Sequence, residues 1–282
     1  MSHQTTVRGA GDPLTIDRTE QVRIIGERIN PRPDSSLAEA LSDGDMDIVR
    51  RLTNEQMDNG ADLIDINVDV DGIDKESVLP RVVETVAEET DAPIVIDTNY
   101  EDVVALEAAL DVCPGKPVIN SVNGEQDSLE TILPLVAQHE TAVIGLTMDD
   151  DGIPKDVATR FGIAETILER TSDAGIPEED VIIDCAALPL SADANAGAVT
   201  LETMERVRDA FGNNITLGVS NTSYQLPERE QINNVFLAMA IESGLSVPIV
   251  HPGDSLETIL IADLVMGRDD FAKRFLSHYR SR

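Results

Sequence analysis

The chain has 282 residues, of which 41% are hydrophobic and only 3% aromatic. Acidic residues outnumber basic ones by 53 to 21, and the resulting net charge of −32 excludes a nucleic-acid-binding protein because phosphates would be repelled. No apolar run reaches the roughly 18 residues that a membrane span requires, and no apolar signal core begins the chain, so a cytoplasmic protein without membrane partners is expected.

The acidic residues are dispersed along the chain rather than gathered in a tail. Lysine occurs at only four positions, 75, 116, 155 and 273. A dispersed acidic surface with little lysine is typical of proteins that work in concentrated salt, where screening removes the self-repulsion. The composition therefore predicts a halophilic protein, with an ordinary acidic cytosolic protein as the alternative.

Short apolar runs alternate with longer amphipathic stretches from residue 22 onward, as strands alternate with helices in α/β proteins. The predicted strands are 22–27, 62–67, 93–97, 117–121, 142–147, 181–184, 215–220 and 246–250. The predicted helices are 45–59, 74–90, 101–111, 127–140, 156–174, 200–210, 230–243 and 254–266.

This succession of strand–helix units predicts a parallel sheet closed into one α/β domain, a (β/α)8 TIM barrel. An open doubly wound sheet is the alternative, disfavoured because no G-x-G-x-x-G follows the first strand. Residues 1–20 are predicted to be a loose N-terminal extension, with disorder left open, and residues 21–282 the barrel domain.

Five predicted strands run into an aspartate or asparagine at their carboxyl ends, where barrels of this type carry catalytic residues. For any one of these residues, a turn or helix-capping role is the alternative. Taken together, they predict a site at the mouth of the barrel. The candidate residues are Asp65, Asn67, Asp97, Asn120, Asp184 and Asn221.

Carboxylates and amides without lysine or histidine suit a neutral heterocycle with several N–H groups, because a carboxylate accepts two parallel hydrogen bonds. A divalent cation is the alternative, since clustered aspartates also bind Mg²⁺. The asparagines and the wide spacing favour the heterocycle. No metal site is predicted: Cys113 and Cys185 form no C-x-x-C pair, and the four histidines lack zinc spacing.

Eight segments resemble, in the same order, the pterin-binding methyltransferase family. The segments are IIGERINP (24–31), GADLIDINV (60–68), PIVIDTN (93–99), VINSVNGE (118–125), IGLTMDDDGIPKD (144–156), VIID (181–184), LGVSNTS (217–223) and NNVFLAMAIESG (233–244). The family includes the methyltetrahydrofolate:corrinoid/iron-sulfur protein methyltransferases and the folate domain of cobalamin-dependent methionine synthase. Its fold, a (β/α)8 barrel like that of dihydropteroate synthase, agrees with the strand count.

The resemblance also implies roles for individual residues. Asp97, Asn120 and Asp184 match the residues that hydrogen-bond the pterin ring. Asn221 matches the mobile asparagine near N5 of the pterin, and it is expected to be catalytic together with Asp184. Arg229 matches a position after the loop that carries Asn221, and it is expected to stabilise that loop or the ligand. The implied substrate-binding residues are Asp65, Asn67, Asp97, Asn120, Asp184, Asn221 and Arg229.

The implied reaction is transfer of the N5 methyl group of methyltetrahydrofolate, or of a related methyl-pterin, to Co(I) of a corrinoid. The sequence contains no D-x-H-x-x-G cobalamin signature, so the cobalamin is expected on a partner protein. Because no histidine or lysine is among the candidates, the proton for N5 is expected to arrive through water. A homodimer is expected by the same resemblance.

Two alternatives to this function stay open. Dihydropteroate synthases share the barrel and the ring ligands, but they also use a lysine on the seventh strand and a Ser-Arg signature near the eighth. Here LGVSN (217–221) has no lysine and PIVHPGD (248–254) has no arginine. The other alternative is a non-catalytic pterin-binding subunit. The sequence does not distinguish a folate from a methanopterin carrier, and it does not identify the final methyl acceptor.

Overall fold

The computed structural model describes residues 3–33 and 35–280. The strands are β1 (Thr5–Val7), β2 (Leu14–Ile16), β3 (Ile25–Ile29), β4 (Leu63–Asn67), β5 (Ile94–Asp97), β6 (Val118–Asn123), β7 (Ala142–Leu146), β8 (Val181–Asp184), β9 (Ile215–Thr216) and β10 (Ile249–Val250). The α-helices are α1 (Ser36–Asp43), α2 (Asp47–Asp58), α3 (Lys75–Glu89), α4 (Val103–Val112), α5 (Gln126–His139), α6 (Val157–Asp173), α7 (Ala196–Ala210), α8 (Arg229–Ser243), α9 (Pro252–Val265) and α10 (Lys273–Arg280).

Within the described residues, β3 to β10 form one parallel sheet in the order β10-β3-β4-β5-β6-β7-β8-β9. The ring closes where Ile249 N donates to Leu217 O at 3.0 Å, beside a parallel bridge between Gly218 and Ile249. Because the two end strands are joined, the (β/α)8 prediction is confirmed and the open doubly wound alternative is wrong.

The last two barrel strands are shorter than predicted, with only two residues each. After Thr216 the chain soon turns into a short 3₁₀ helix, Val219–Ser223, instead of continuing the predicted strand to residue 220. Pro248 has no N–H to donate to a neighbouring strand, and β10 begins directly after it. These short strands leave loops at the barrel mouth.

Helices α1 and α10 were not predicted. Each has only eight residues, too few for a helical period to stand out from the sequence. Helix α1 begins where Ser35 Oγ accepts from Ala38 N at 3.2 Å, and it ends at Gly44, whose φ of 70° suits glycine. Across residues 3–33 and 35–280, no helix combines the length and the apolar character needed to cross a bilayer.

The N-terminal residues are ordered, contrary to the predicted loose extension. Strands β1 and β2 pair antiparallel, and Val7 and Ile16 are fully buried against the amino ends of the barrel strands, in a cluster with Ile25, Leu63 and Val95. Three-residue strands are too short to show an alternating pattern, which is why the sequence did not reveal them. Residues 1 and 2 of the predicted extension lie outside the described residues, and the domain boundary at residues 20 and 21 stays a prediction.

The acidic surface leads to a prediction about salt. Some acidic side chains are largely exposed even though they pair with arginine: those of Glu88 and Asp209 are 66% and 68% accessible. Repulsion among such charges extends about 10 Å at 0.1 M salt but only about 3 Å at 1 M. The midpoint of thermal unfolding should therefore rise strongly from dilute buffer to molar KCl. Equal midpoints in the two buffers would contradict the halophilic interpretation.

Candidate active site

Polar side chains occupy the upper part of the barrel interior, directly above an apolar layer. Side chains two positions apart on a strand point to the same face, so each polar residue lies above the apolar one. The lower residues are Leu63, Val95, Val118 and Ile182, and the polar residues two positions later are Asp65, Asp97, Asn120 and Asp184. This spacing brings residues from four strands to one place.

These residues line a cavity of about 1530 Å³ at the carboxyl ends of the strands. Two further predicted residues, Asn221 and Arg229, also line it. Asn67 does not: its Nδ2 donates to Asp97 Oδ2 at 3.0 Å, and its Oδ1 accepts from the backbone of Asp69. Asn67 therefore orients Asp97, and its predicted direct contact with substrate is not supported by this geometry.

Strand register explains which polar groups meet. Asn67 lies beside Asp97, and Asp97 lies beside Asn120, in the paired strands β4, β5 and β6. Asn120 Nδ2 donates to Asp65 Oδ1 at 3.3 Å, and the backbone of Ala186 donates to Asp184 Oδ1 at 2.7 Å. In the described part of the chain, the second carboxylate oxygens of Asp97 and Asp184 accept no hydrogen bond, so they are available to a ligand.

Glu27 is a cavity residue that the sequence analysis missed. It follows Ile25 of the lower apolar layer by two positions on β3, the same spacing as the other four. Ser220 Oγ donates to Glu27 Oε2 at 3.4 Å, which links β3 to the loop that carries Asn221. The spacing along β3 identifies Glu27, but the pattern of strands that end in aspartate or asparagine does not include it.

Burial raises the pKa values of the carboxyl groups in this cavity. It raises the pKa of Glu27 to about 7, against the opposing influence of the Ser220 hydroxyl and nearby arginines. It raises the pKa of Asp97 and of Asp184 to about 6. For Asp65, burial and the neighbouring charge of Asp97 raise the pKa well above its ordinary value. The cavity can therefore hold protons near neutral pH, and its carboxyl groups can both donate and accept hydrogen bonds.

Arg229 holds the loop that carries Asn221. Its Nη2 donates to Ser220 O at 2.9 Å and its Nε donates to Ser223 Oγ at 3.1 Å. The Asn221 side chain folds over Gly218, where an added Cβ would lie 3.0 Å from Asn221 Nδ2. Of the two roles expected for Arg229, these contacts support stabilisation of the loop.

A fully buried arginine, Arg160, fixes the turn after Asp184, and no sequence pattern indicates this role. Its Nη1 donates to the carbonyl oxygens of Cys185 and Ala186 at 2.9 and 2.7 Å and to Thr200 Oγ1 at 3.0 Å. Ala186 adopts a left-handed φ of 54°, which is unfavourable for a residue with a side chain. Arg160 thereby holds in place the backbone N–H that binds Asp184.

The raised pKa of Asp184 predicts how stability depends on pH. In the folded chain Asp184 keeps its proton up to about pH 6, whereas in the unfolded chain it loses it near its ordinary value of 3.8. Its contribution to the free energy of unfolding therefore falls as the pH rises from about 4 to about 6. The variant Asp184→Asn has no proton to lose at this position, so its free energy of unfolding should not show this decline. The free energy of unfolding of the variant minus that of the wild type should therefore be about 2 to 3 kcal/mol larger at pH 8 than at pH 4. Urea unfolding of both proteins in molar KCl measures the difference; parallel curves would contradict it.

The family follows from comparison with known proteins. Residues 26–251 match the family model described as pterin binding enzyme. The chain belongs to the pterin-binding enzyme family. The resemblance identified from the sequence segments is thereby confirmed. Within residues 3–33 and 35–280, no group of three or more histidine, cysteine, aspartate or glutamate side chains has an arrangement that could hold a metal ion.

Two proteins related to this pterin-binding enzyme are a methionine synthase and a methyltransferase. It is 28% identical to methionine synthase from Mycobacterium tuberculosis over 264 residues, 89% of this chain but 22% of the relative. It is 26% identical to methylcorrinoid:tetrahydrofolate methyltransferase from Eubacterium limosum over 263 residues, 91% of this chain and 96% of the relative. The chain thus spans about a fifth of the methionine synthase and nearly all of the methyltransferase.

Solved structures of dihydropteroate synthases have the same fold. The enzyme from Stenotrophomonas maltophilia superposes with a TM-score of 0.71 at 23% identity, covering 93% of this chain and 98% of that one. The Yersinia pestis enzyme in complex with a pterin–sulfa conjugate gives 0.68 at 19% identity, covering 94% of this chain and 99% of that one. At such identities, the similarity establishes the barrel fold alone.

Proposed function

We propose that this protein is a methyltransferase that moves a methyl group from N5 of methyltetrahydrofolate, or of a related methyl-pterin, to the Co(I) of a corrinoid carried by a partner protein. The observation that carries the proposal is the match to the Eubacterium limosum methyltransferase, which covers both chains almost completely. The name of that relative describes methyl transfer in the opposite direction, from a methylcorrinoid to tetrahydrofolate. A site that stabilises the transition state accelerates transfer in both directions.

Asp97 and Asp184 accept hydrogen bonds from the N–H groups of the pterin. They lie on strands three places apart around the barrel, each with one carboxylate oxygen free of partners among the described residues. A carboxylate oxygen binds ring N–H and amino groups strongly in a site shielded from water. Asn120, on β6 between them, lines the same cavity and offers its amide oxygen.

The methyl donor nitrogen must gain positive character before it can leave, because an unprotonated tertiary amine is a poor leaving group. Asn221 donates a hydrogen bond to N5 from the loop that Arg229 holds. Glu27, with a pKa of about 7, is protonated in about half of the molecules at neutral pH, and it accepts a hydrogen bond from Ser220, the residue beside Asn221. Glu27 thus supplies, in this proposal, the acid that the sequence analysis assigned to water alone.

The dihydropteroate synthase alternative has less support in the cavity lining. The segments after β9 and β10 contribute no lysine to the cavity lining, and the arginine among them, Arg229, is already hydrogen-bonded to Ser220 and Ser223. The substrate of that reaction carries a pyrophosphate, for which dihydropteroate synthases use a lysine and an arginine in these two segments.

An assay for dihydropteroate formation separates the two functions. The protein, given a dihydropterin pyrophosphate and p-aminobenzoate, should form no dihydropteroate under salt conditions in which it binds 5-methyltetrahydrofolate. Formation of dihydropteroate at a catalytic rate would replace the proposed methyl transfer with the synthase reaction.

A further inference from the structure

Positive charge is concentrated on one side of the cavity mouth. The whole chain has 21 basic residues against 53 acidic ones. Among the described residues that line the cavity, Arg28 of β3, Arg32 of the following loop and Arg51 of α2 lie on the β3 side. We call these three residues the arginine patch. The rim next to β5 and β6 is acidic instead, with Glu101 and Glu125.

Among the described residues, the guanidinium groups of two members of the arginine patch form no ion pair and no hydrogen bond. Arg28 and Arg32 are exposed, and their hydrogen bonds within residues 3–33 and 35–280 involve only their backbone atoms. Several other arginines of this acidic chain pair with carboxylates, as Arg50 does with Glu88 at 3.1 Å. Free guanidinium groups beside a ligand cavity, in a chain with excess acid, indicate an anion that comes from outside.

The patch is close to the reacting end of the cavity. The positive charges of Arg32 and Arg28 counteract the rise in the pKa of Glu27 that burial causes, so both lie within electrostatic range of that carboxyl group. The third member, Arg51, forms an ion pair with Glu55 on the same helix, with Arg51 Nη1 3.4 Å from Glu55 Oε2. A ligand that reaches Glu27 with one end can therefore reach Arg28 and Arg32 with the other.

The mouth also offers aromatic surface in a chain that has little of it. The sequence contains three tyrosines and no tryptophan, and Tyr100 and Tyr224 both line the cavity. Tyr224 is 55% exposed in the loop after Asn221. A flat ring packs well on such side chains. The cavity, about 1530 Å³, is larger than the roughly 300–1,000 Å³ usual for small ligands, so a bicyclic pterin would leave much of it empty.

We propose that the arginine patch binds the anionic tail of the pterin substrate, an aryl group followed by carboxylates or phosphates. This inference rests on the proposed pterin site. The ring end lies on Asp97 and Asp184, the aryl group passes the tyrosines, and the tail anions accept paired hydrogen bonds from Arg28 and Arg32. A guanidinium fork matches carboxylate and phosphate oxygens equally well.

The test compares pterins with and without a tail. The probes are 5-methyltetrahydrofolate with one glutamate, the same compound with three glutamates, and 5,6-dimethyltetrahydropterin, which has no tail. The double variant Arg28→Gln/Arg32→Gln should bind the monoglutamate about tenfold more weakly, the triglutamate more weakly still, and the tailless probe as well as wild type does. Titrations at the lowest salt that preserves the fold avoid excess screening.

Two control variants make the outcome specific. Arg8→Gln removes one positive charge beside the hairpin at the opposite end of the barrel, where the backbone of Arg8 forms an antiparallel bridge with Lys116, and it should leave all three affinities unchanged. Asp97→Asn should weaken all three probes alike, by about tenfold, because it acts on the ring. Competition by glutarate and by inorganic phosphate distinguishes a carboxylate tail from a phosphate tail. For a carboxylate tail, glutarate should displace the tailed probes at a lower concentration than phosphate does, and for a phosphate tail the order should be reversed.

Three results would overturn the inference. An unchanged affinity of the double variant for every probe, or an equal loss for tailed and tailless probes, would remove the tail site and leave the pterin site intact. Failure of the wild-type protein to bind any of the three pterins would overturn the proposed function as well.

Discussion

Replacing Asn221 by alanine is expected to slow methyl transfer about 100-fold while weakening pterin binding much less. The amide of Asn221 lines the cavity on a loop held by Arg229. In the proposed mechanism its hydrogen bond to N5 strengthens as the methyl group leaves. An interaction that is stronger in the transition state lowers the barrier without tightening ground-state binding.

Asn120→Ala provides the contrast for this measurement. Asn120 lies inside the barrel, where its amide is hydrogen-bonded to Asp65, and it is proposed to hold the ring. Its truncation should mainly weaken binding. Single-turnover transfer and equilibrium binding, measured on both variants, separate the two effects. If Asn221→Ala transferred methyl groups at nearly the wild-type rate, a water molecule held by Asp184 would become the better candidate for activating N5.

Replacing Glu27 by glutamine should remove the pH dependence of methyl transfer near neutrality. The protonated form of Glu27 is the proposed acid, so wild-type transfer should fall as the pH rises through about 7. Glutamine cannot release a proton to N5. Transfer by Glu27→Gln should be about 100-fold slower than wild type at pH 6, and the difference should shrink above pH 8.

Ser220→Ala tests whether Glu27 is the group that titrates. The hydroxyl of Ser220 donates to the Glu27 carboxylate at 3.4 Å and lowers its pKa. Without this hydrogen bond the pKa should rise, and the pH at which wild-type transfer falls should move upward. If the pH dependence of methyl transfer in Ser220→Ala coincided with that of the wild type, and Glu27→Gln kept the same dependence, the titrating group would be a residue other than Glu27.

The interior of the barrel was predictable because it follows from alternation along the strands. Residues such as Asp97 and Asp184 could be found from the sequence since they end apolar runs, and strand ends of one barrel face the same mouth. The same spacing indicates Glu27, two residues after Ile25, but glutamate is not part of the pattern of strands that end in aspartate or asparagine. Asn67 is predicted to contact substrate because it ends an apolar run, but strand register places it against Asp97 instead.

Features that depend on distant partners could not be predicted. In the sequence, Arg160 is not distinguishable from other arginines in predicted helices. Its role depends on hydrogen bonds to the carbonyl oxygens of Cys185 and Ala186, which follow the next strand, β8. The N-terminal hairpin is likewise fixed by remote contacts, such as Asn214 Nδ2 donating to Thr5 Oγ1 at 3.0 Å. Local periodicity contains no information about contacts over such sequence distances.

The most direct test of the proposed function is methyl transfer to free cobalamin, which stands in for the corrinoid of the partner protein. The protein is mixed without oxygen with 5-methyltetrahydrofolate and Co(I) cobalamin, and the absorbance of Co(I) and of methylcobalamin is followed. The proposed function predicts that methylcobalamin forms as Co(I) disappears, at a rate that depends on the protein and falls about 100-fold in Asn221→Ala. Folded wild-type protein that binds the methyl-pterin but forms no methylcobalamin would contradict it.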